Sequence, residues 1–374
     1  MQTEHPKDKG PRIFDNLLIA TFIIGLFLPL GLTHNRKESV TEKRRLADFP
    51  KLEWSPKALT EFPSQFDLFF KDHFGLREQL TQIYSLYSVL LKSSSNPKVM
   101  IGVDDWLFYV NPGEGNSLED YRQNDPLTLD ELRNWKIGLE EKHVWLKQQG
   151  ILYLFIVMPD KHSIYPEYMP EHIRQVGMQT RLDQLIDYMK YSEVPVLDLR
   201  PTLLQAKQQG QIFYKTDTHW NDFGAAIAQH EILRAIQKFY PNLNPRNYSW
   251  QDFRLTEYKS GDIANMLNIS YFLKEMVPEL RQPLPICDQH IVEMHPEDQM
   301  KATFFTDCRT DSPRVLIFRD SFFTALQPYI SQHFAKTVYV WEWPDLNLIK
   351  KYQQSNQPNI VIEARVERHL KFIK

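Results

Sequence analysis

The order of apolar and polar positions divides this chain into three parts. Leu17 to Leu32 (LLIATFIIGLFLPLGL) is an apolar run without a charge, extended by Ile13-Phe14 across Asp15-Asn16. Roughly 20 such residues span a bilayer, so a transmembrane helix is expected here. No small-x-small cleavage site follows, which predicts an uncleaved signal anchor. Phe66, Phe69, Phe70, Phe74, Leu76, Leu80, Ile83, Tyr84 and Tyr87 then recur at helical spacing, with Gly75 as a break. Beyond residue 98 the pattern changes to apolar runs alternating with helical periods. The expected organisation is a tail and anchor over 1–33, a juxtamembrane linker and helical segment over 34–97, and a main domain over 98–374.

Within the main domain, Val99-Met100-Ile101 and Leu107-Phe108-Tyr109 flank acidic turn residues, a hairpin signal. Leu129 to Gln149 is helical by period and stops at Gly150. Ile151 to Val157 (ILYLFIV) is a continuous apolar run, the mark of a strand covered on both faces of a parallel sheet. Helices are expected over Arg181–Tyr191, Pro201–Gln209, Ala225–Phe239, Phe322–Phe334 and Asp345–Gln353. Strands are expected over Val194–Leu197, Ile212–Tyr214, Val315–Phe318, Val338–Trp341 and Ile360–Glu363, while 241–312 reads as loop-rich. Strands alternating with helices predict an α/β fold of three layers with a mainly parallel central sheet.

Composition changes this picture little. Hydrophobic content of 42% with 24% charged residues is globular, and a net charge of -3 gives no case for nucleic acid. Two cysteines, Cys287 and Cys308, exclude a zinc ribbon or a CxxC pair and leave a bridge between them open.

Candidate chemistry gathers in two places. Tyr214 to Gly224 (YKTDTHWNDFG) sets His219 two residues after Asp217, with Trp220 beside it and Asn221 or Asp222 placed to cap the next helix. About a hundred residues later, a strand turns through Arg319-Asp320-Ser321 into a helical stretch. Such a turn exposes a hydroxyl at the carboxyl edge of a sheet, where turn amides can stabilise an oxyanion. A serine needs a base to take its proton, and that base needs a third group to fix its tautomer. Ser321, His219 and Asp217 fill those roles as nucleophile, base and orienter. Taken singly, Asp-x-His is more often a surface or capping pair, and a serine after a strand is more often an N-cap. Asp217 and His219 also have the character of metal ligands, but no third ligand lies near them in sequence, so no metal and no cofactor is expected.

These residues carry a resemblance. Strand-Asp320-Ser321-Phe322 resembles the Gly-Asp-Ser block of SGNH-type hydrolases. Asp217-Thr218-His219-Trp220 is similar to the Asp-x-His-Trp signature of the alginate O-acetylation proteins of the AlgJ/AlgX type. The likeness extends to Val99–Tyr109, Met158–Lys161 with Tyr165-Pro166-Glu167, Gly261-Asp262-Ile263-Ala264 and Glu363 to Arg368. It implies an SGNH hydrolase-like domain, anchored in the membrane and facing outward, that transfers or removes acetyl groups on an exported polysaccharide. It also implies a membrane-bound O-acyltransferase as the partner that supplies acetyl. Arg319, Asp320, Asn265, Lys161, Trp220 and Tyr214 are the candidates for oxyanion or substrate contacts. Two departures stand out: Arg319 occupies the usual Gly position, and the blocks that donate a Gly amide and an Asn side chain have no match beyond Asn265. The last strand lies close to Lys374, so polysaccharide affinity is expected on the catalytic face itself.

The departures favour a second reading, a non-catalytic scaffold or polysaccharide-binding subunit of an export complex. Orientation is contested too. Lys7, Lys9 and Arg12 precede the apolar run, but Arg36, Lys37, Lys43, Arg44 and Arg45 follow it. The positive-inside rule puts the downstream side in the cytoplasm, whereas the resemblance puts it outside. The expected localisation is a single-pass protein of the cytoplasmic membrane with its main domain periplasmic or at the cell surface.

Overall fold

A computed structural model describes residues 12–33, 36–39, 44–258, 261–295, 298–308 and 311–373. Of the basic residues weighed above, Lys7, Lys9 and Lys43 lie outside that range, as does most of the N-terminal tail. The chain divides at Leu90 into two compact units.

The first unit holds helices α1 (Arg12–Gly31), α2 (Pro56–His73) and α3 (Arg77–Leu90). Ser55 caps α2 by accepting from the Ala58 amide, and Pro56 at the first helical position has no amide to leave unbonded. Gly75 falls between α2 and α3, where the sequence placed the break. The apolar run expected to span a membrane is α1. Among the described residues, however, no helix is long and apolar enough to cross a membrane.

In the second unit, β1 (Val99–Ile101) and β2 (Leu107–Tyr109) form the expected antiparallel hairpin, with Asp104 and Asp105 both at positive φ in its turn. There follow α4 (Leu129–Gln148), β3 (Leu152–Met158), α5 (Arg181–Met189), β4 (Val196–Asp198), α6 (Arg200–Ala206) and α7 (Asp222–Gln237). An antiparallel ribbon, β5 (Phe253–Tyr258) with β6 (Glu275–Leu280), brackets the short α8 (Asp262–Met266). The chain closes with β7 (Asp288–Glu293), β8 (Thr303–Asp307), β9 (Arg314–Phe318), α9 (Gln327–Ser331), β10 (Lys336–Val340), α10 (Leu346–Asn356) and β11 (Ile360–Val366).

The central sheet runs β4-β3-β11-β9-β10-β8-β7. Its first five strands are parallel, and β8 and β7 add antiparallel at one edge, so the sheet is mixed. Alternation along each strand sorts the core. Leu154, Ile156, Ile317 and Ile362 face one apolar layer with Leu203 of α6 and Ile232 of α7. Tyr153, Phe155, Val157, Leu316 and Val361 face another with Leu139 of α4, Leu185 of α5 and Ile349 of α10. Both faces are covered, which is why the strands read as unbroken apolar runs.

Three expectations are corrected. Among its described residues the stretch 241–312 holds four strands, which are short or, like β7, exposed throughout, so neither apolar runs nor clean alternation marked them. Ile212–Tyr214 makes only an isolated bridge, Phe213 with Trp220. Phe322–Phe334 is not one helix: Ser321–Leu326 is a 3-10 turn leading into α9, because Pro328 resets the helix at its own first turn.

Cys287 and Cys308 are joined by a disulfide that ties the start of β7 to the end of β8. Closing a loop over a sequence separation of 21 stabilises the fold by about 3 kcal/mol in the chain-entropy treatment. Cys287→Ser should therefore lower the unfolding free energy from urea titration by roughly that amount, and reductant should do the same to the parent but not to the variant.

Glu363, in the closing motif, is fully buried on β11. It accepts from Lys142 Nζ at 2.5 Å and Tyr153 Oη at 2.7 Å, and Arg365 donates to it at 2.8 Å. Burial pushes its carboxyl up, but the charges of Lys142 and Arg365 outweigh that and hold it below the ordinary value. It is a structural carboxylate. Lys142→Met leaves that carboxylate short of one cation and is expected to cost about 3 kcal/mol of stability in chemical denaturation.

Candidate active site

The carboxyl edge of the parallel strands gathers the candidate residues. β9 ends at Phe318 and delivers Arg319-Asp320-Ser321, while β3 ends at Met158 and delivers Asp160-Lys161. β11 ends at Val366 and delivers Glu367-Arg368. Ligands bind at this edge in open α/β sheets because the strand-to-helix turns open there.

The loop with Asp217 and His219 is fixed from several sides. The Tyr214 amide donates to the His219 carbonyl at 3.2 Å and the Asn221 amide to the Ile212 carbonyl at 3.0 Å. Glu275 of β6 accepts from the amides of Lys215 and Thr216 and from the Thr216 hydroxyl. Asn221 caps α7, its Oδ1 accepting from the Gly224 amide at 3.1 Å. A helix beginning there holds His219 one turn before a rigid element.

Within this frame, His219 Nδ1 lies 2.7 Å from Asp217 Oδ1, and His219 Nε2 lies 2.9 Å from Ser321 Oγ. With Nδ1 donating to the carboxylate, Nε2 is left as an acceptor for the serine hydroxyl. Asp217 is held in turn: the His219 amide donates to Oδ1 at 3.0 Å, and the Asp262 amide and Tyr258 hydroxyl donate to Oδ2 at 2.8 and 3.3 Å. Burial pushes the Asp217 carboxyl up, but the hydrogen bond and charge of His219 outweigh it and bring it down to about 2. Burial lowers the His219 pKa, and Asp217 outweighs that, leaving it above the ordinary 6.5. Ser321 is half-buried.

Asp262 was not singled out from the sequence. Its Oδ1 accepts from the Thr218 amide at 2.6 Å and hydroxyl at 3.1 Å, and its Oδ2 lies 3.8 Å from His219 Nδ1. Burial raises its carboxyl above the ordinary value, and the neighbouring Asp217 charge adds to this. Gly261 is what lets α8 approach. A Cβ there would lie 2.1 Å from the Thr216 carbonyl oxygen, so no side chain fits. Asp262 also supplies in space the third metal-type ligand missing in sequence: one donor atom each from Asp217, His219 and Asp262 lie within 4.8 Å of one another. Oxygens of both carboxylates are already engaged, those of Asp217 by His219 and the Asp262 amide and Oδ1 of Asp262 by Thr218, in the pattern that orients an imidazole.

The remaining candidates are dispersed. Asp320 is buried and accepts from the amides of Phe322 and Val366 at 3.0 and 2.8 Å, so it shapes the turn. That contact engages the Phe322 amide, one of the amides of this turn. Arg319 turns away from the serine. Its guanidinium stacks over Trp341 at 4.7 Å and donates to the Met300 carbonyl at 2.8 Å, and burial lowers its pKa to about 10. Lys161 is buried and donates to the carbonyls of Leu107 and Lys215 at 2.6 and 3.1 Å, tying the β1–β2 hairpin to the histidine loop. Burial brings its ammonium down to about 8. Trp220 is fully buried and meets Phe322 edge-on at 5.7 Å, a packing role rather than an open pocket wall. Tyr214 stacks on Tyr258 at 4.5 Å beside Asp217, and Asn265 is exposed on α8. Arg368, quoted in the sequence only as part of a motif, is buried, paired with Asp160, and lies over the Phe322 ring at 5.2 Å. The His219 ring packs on that same ring at 4.8 Å. A cation buried beside His219 opposes its protonation.

Residues 99–342 match the family described as SGNH hydrolase-like domain, acetyltransferase AlgX. The chain is 25% identical over 265 residues to the probable alginate O-acetylase AlgJ of Pseudomonas syringae pv. tomato, covering 70% of this chain and 63% of that relative. It therefore spans less than two thirds of the relative's length. Among solved structures it is similar to Bacillus cereus PatB1, with TM-score 0.49 and 16% identity over 73% of this chain and 97% of that one. It is likewise similar to the O-acetyltransferase domain of Pseudomonas putida AlgJ, with TM-score 0.44 and 21% identity over 74% of this chain and 93% of that one.

Proposed function

The chain belongs to the SGNH hydrolase-like acetyltransferase AlgX family, and from that premise we propose that it is a serine-dependent O-acetyltransferase acting on an exported polysaccharide. The observation that carries this is the 2.9 Å contact between Ser321 Oγ and a His219 ring whose far nitrogen is held by Asp217. Ser321 Oγ attacks the acetyl carbonyl as its proton passes to His219 Nε2, and the departing donor oxygen takes that proton. A sugar hydroxyl then gives its proton to His219 and attacks the acetyl-serine, and the proton returns to Ser321 Oγ. Asp217 keeps the imidazole in the required tautomer throughout. Transfer wins over hydrolysis only if the sugar outcompetes water at the acetyl-serine.

The donor side of this reading is a membrane-bound O-acyltransferase, and the domain lies on the outer side of the membrane with α1 as its anchor. Two facts support the anchor: the uncharged run from Leu17, and the exposure of Phe14, Leu17, Phe22 and Phe27 on α1 at 63–66%. Phosphatase fusions after Arg45 test the orientation, and a cytoplasmic result would remove the exported substrate.

The central experiment is release of p-nitrophenol from its acetate ester, with and without an oligosaccharide acceptor. Acceptor-dependent acceleration with acetylated product supports transfer. Absence of acetyl release, together with unchanged polymer acetylation in cells carrying Ser321→Ala, would leave the scaffold reading, which Arg319 in the Gly position favours. Asp262→Ala frees the Thr218 amide and loosens the loop carrying His219. A displacement of about 1 Å in a catalytic group is expected to cost about a hundredfold in kcat, measured in the same assay with the melting temperature as the folding control.

A further inference from the structure

Helix α3 is amphipathic the wrong way round. Leu80, Ile83, Tyr84, Tyr87 and Leu90 recur at spacings of three and four, so they share one face. That face is outward, with exposures of 48, 63, 61, 60 and 81%. Ser85 and Ser88 on the other side are buried. Soluble surfaces rarely present such a stripe without something to cover it.

The position of α3 in its unit says what covers it. The last carbonyls of a helix have no partner within the helix. At the end of α1 the Pro29 carbonyl accepts from the Gly75 amide at 3.2 Å, so the corner between α2 and α3 caps α1. The fit is close: a Cβ on Gly75 would lie 2.4 Å from the Pro29 oxygen, and Leu76 turns the chain at positive φ. Helix α3 starts at Arg77, two residues beyond this hydrogen bond. If α1 is the anchor proposed above, a helix pinned to its end starts at the level of the membrane surface.

We infer that the Leu80–Ile83–Tyr84–Tyr87–Leu90 face of α3 lies in the lipid interface, seating the protein on the membrane beside α1. This rests on the reading of α1 as the anchor. Tyrosines suit that depth, since their rings are apolar and their hydroxyls reach the headgroups. In the same unit Trp54, Phe49 and Leu52 are also exposed, at 88, 59 and 63%. A coiled-coil pairing with a second copy is the weaker occupant: α3 has 14 residues, short of the three or four heptads that such a pairing needs. Arg77 and Glu78 are the charged residues of α3, and both sit in its first turn. Attachment through this face is therefore apolar.

The test uses the full chain reconstituted in phosphatidylcholine vesicles, with an environment-sensitive fluorophore on one introduced thiol. The native cysteines are bridged, so the new thiol is the one labelled. Phe22→Cys reports on α1, Tyr84→Cys on the stripe and Thr81→Cys on an exposed position off the stripe. Lipids spin-labelled near the headgroup should quench the Tyr84→Cys probe about twofold more than the Thr81→Cys probe, as for a face buried in the headgroup boundary. Equal quenching at residues 84 and 81, with the Phe22→Cys probe still quenched by chain-labelled lipid, overturns the inference and leaves the anchor standing. Loss of quenching at residue 22 as well removes the anchor and the inference together. A probe at residue 84 shielded from both lipid and aqueous quencher, with disulfide cross-linking between copies of the unlabelled Tyr84→Cys variant, assigns the face to a second protein molecule and also overturns it.

Discussion

Replacing Ser321 by Ala is expected to abolish acetyl release while leaving the fold intact. In serine triads the nucleophile and base act as a unit, and loss of either lowers kcat by about four to six orders of magnitude. His219→Ala should therefore match Ser321→Ala, and the double variant should be no worse than either. The folded state gives little reason for a stability change, because Ser321 is half-buried and its hydroxyl contact is with His219. Acetyl release from p-nitrophenyl acetate and a thermal melt decide both halves. A Ser321→Ala protein that keeps most of its activity would make another group the nucleophile.

Asp217→Asn is the second large effect, and its pH dependence carries a sign. As a base His219 must be neutral, so activity should rise with pH through a pKa above the ordinary 6.5 and then level off. An Asn cannot hold the imidazole by charge and favours the wrong tautomer. The plateau should fall by about four orders of magnitude, and the rising limb should move to lower pH. A limb that stays in place would show that Asp262, 3.8 Å away, sets the titration instead.

The same carboxylate leaves a mark on stability. Its folded value is about 2, against an ordinary 3.8. A depressed carboxylate contributes stability above its unfolded pKa and loses it as pH falls through the folded one. A difference of that size corresponds to about 2 kcal/mol. Unfolding free energies from urea titrations at mildly and strongly acid pH should show the parent losing that much more than Asp217→Asn.

Legibility in the sequence followed burial pattern. The strands β3, β9 and β11 were readable because burial on both faces leaves an uninterrupted apolar run, and α4 because a 20-residue period averages out its irregularities. The antiparallel edge was not. β7 is polar and exposed along its length, so its reason to be a strand is the ladder to β8 and not its own residues. The site divided in the same way. Asp217, His219 and Ser321 stood out because their residue types sit at strand and helix boundaries. Asp262 and Tyr258 did not, since a carboxylate or phenol in a polar stretch carries no mark until another chain segment faces it. The Gly261-Asp262 pair was the available signal, and it drew attention to Asn265 instead.

By itself, then, the sequence determined the α/β class, the break at Gly75 and the three residue types of the candidate site, because each is a local consequence of spacing and side-chain chemistry. The tertiary structure decided which groups meet. It set Ser321 2.9 Å from a histidine 102 residues away, turned Arg319 onto Trp341 and used Lys161 to tie two loops. It also joined Cys287 to Cys308. Those outcomes depend on the order of strands in the sheet and on how the loops at its carboxyl edge fold back. Such long-range distances are fixed by the packing of the whole domain and by no single stretch of chain.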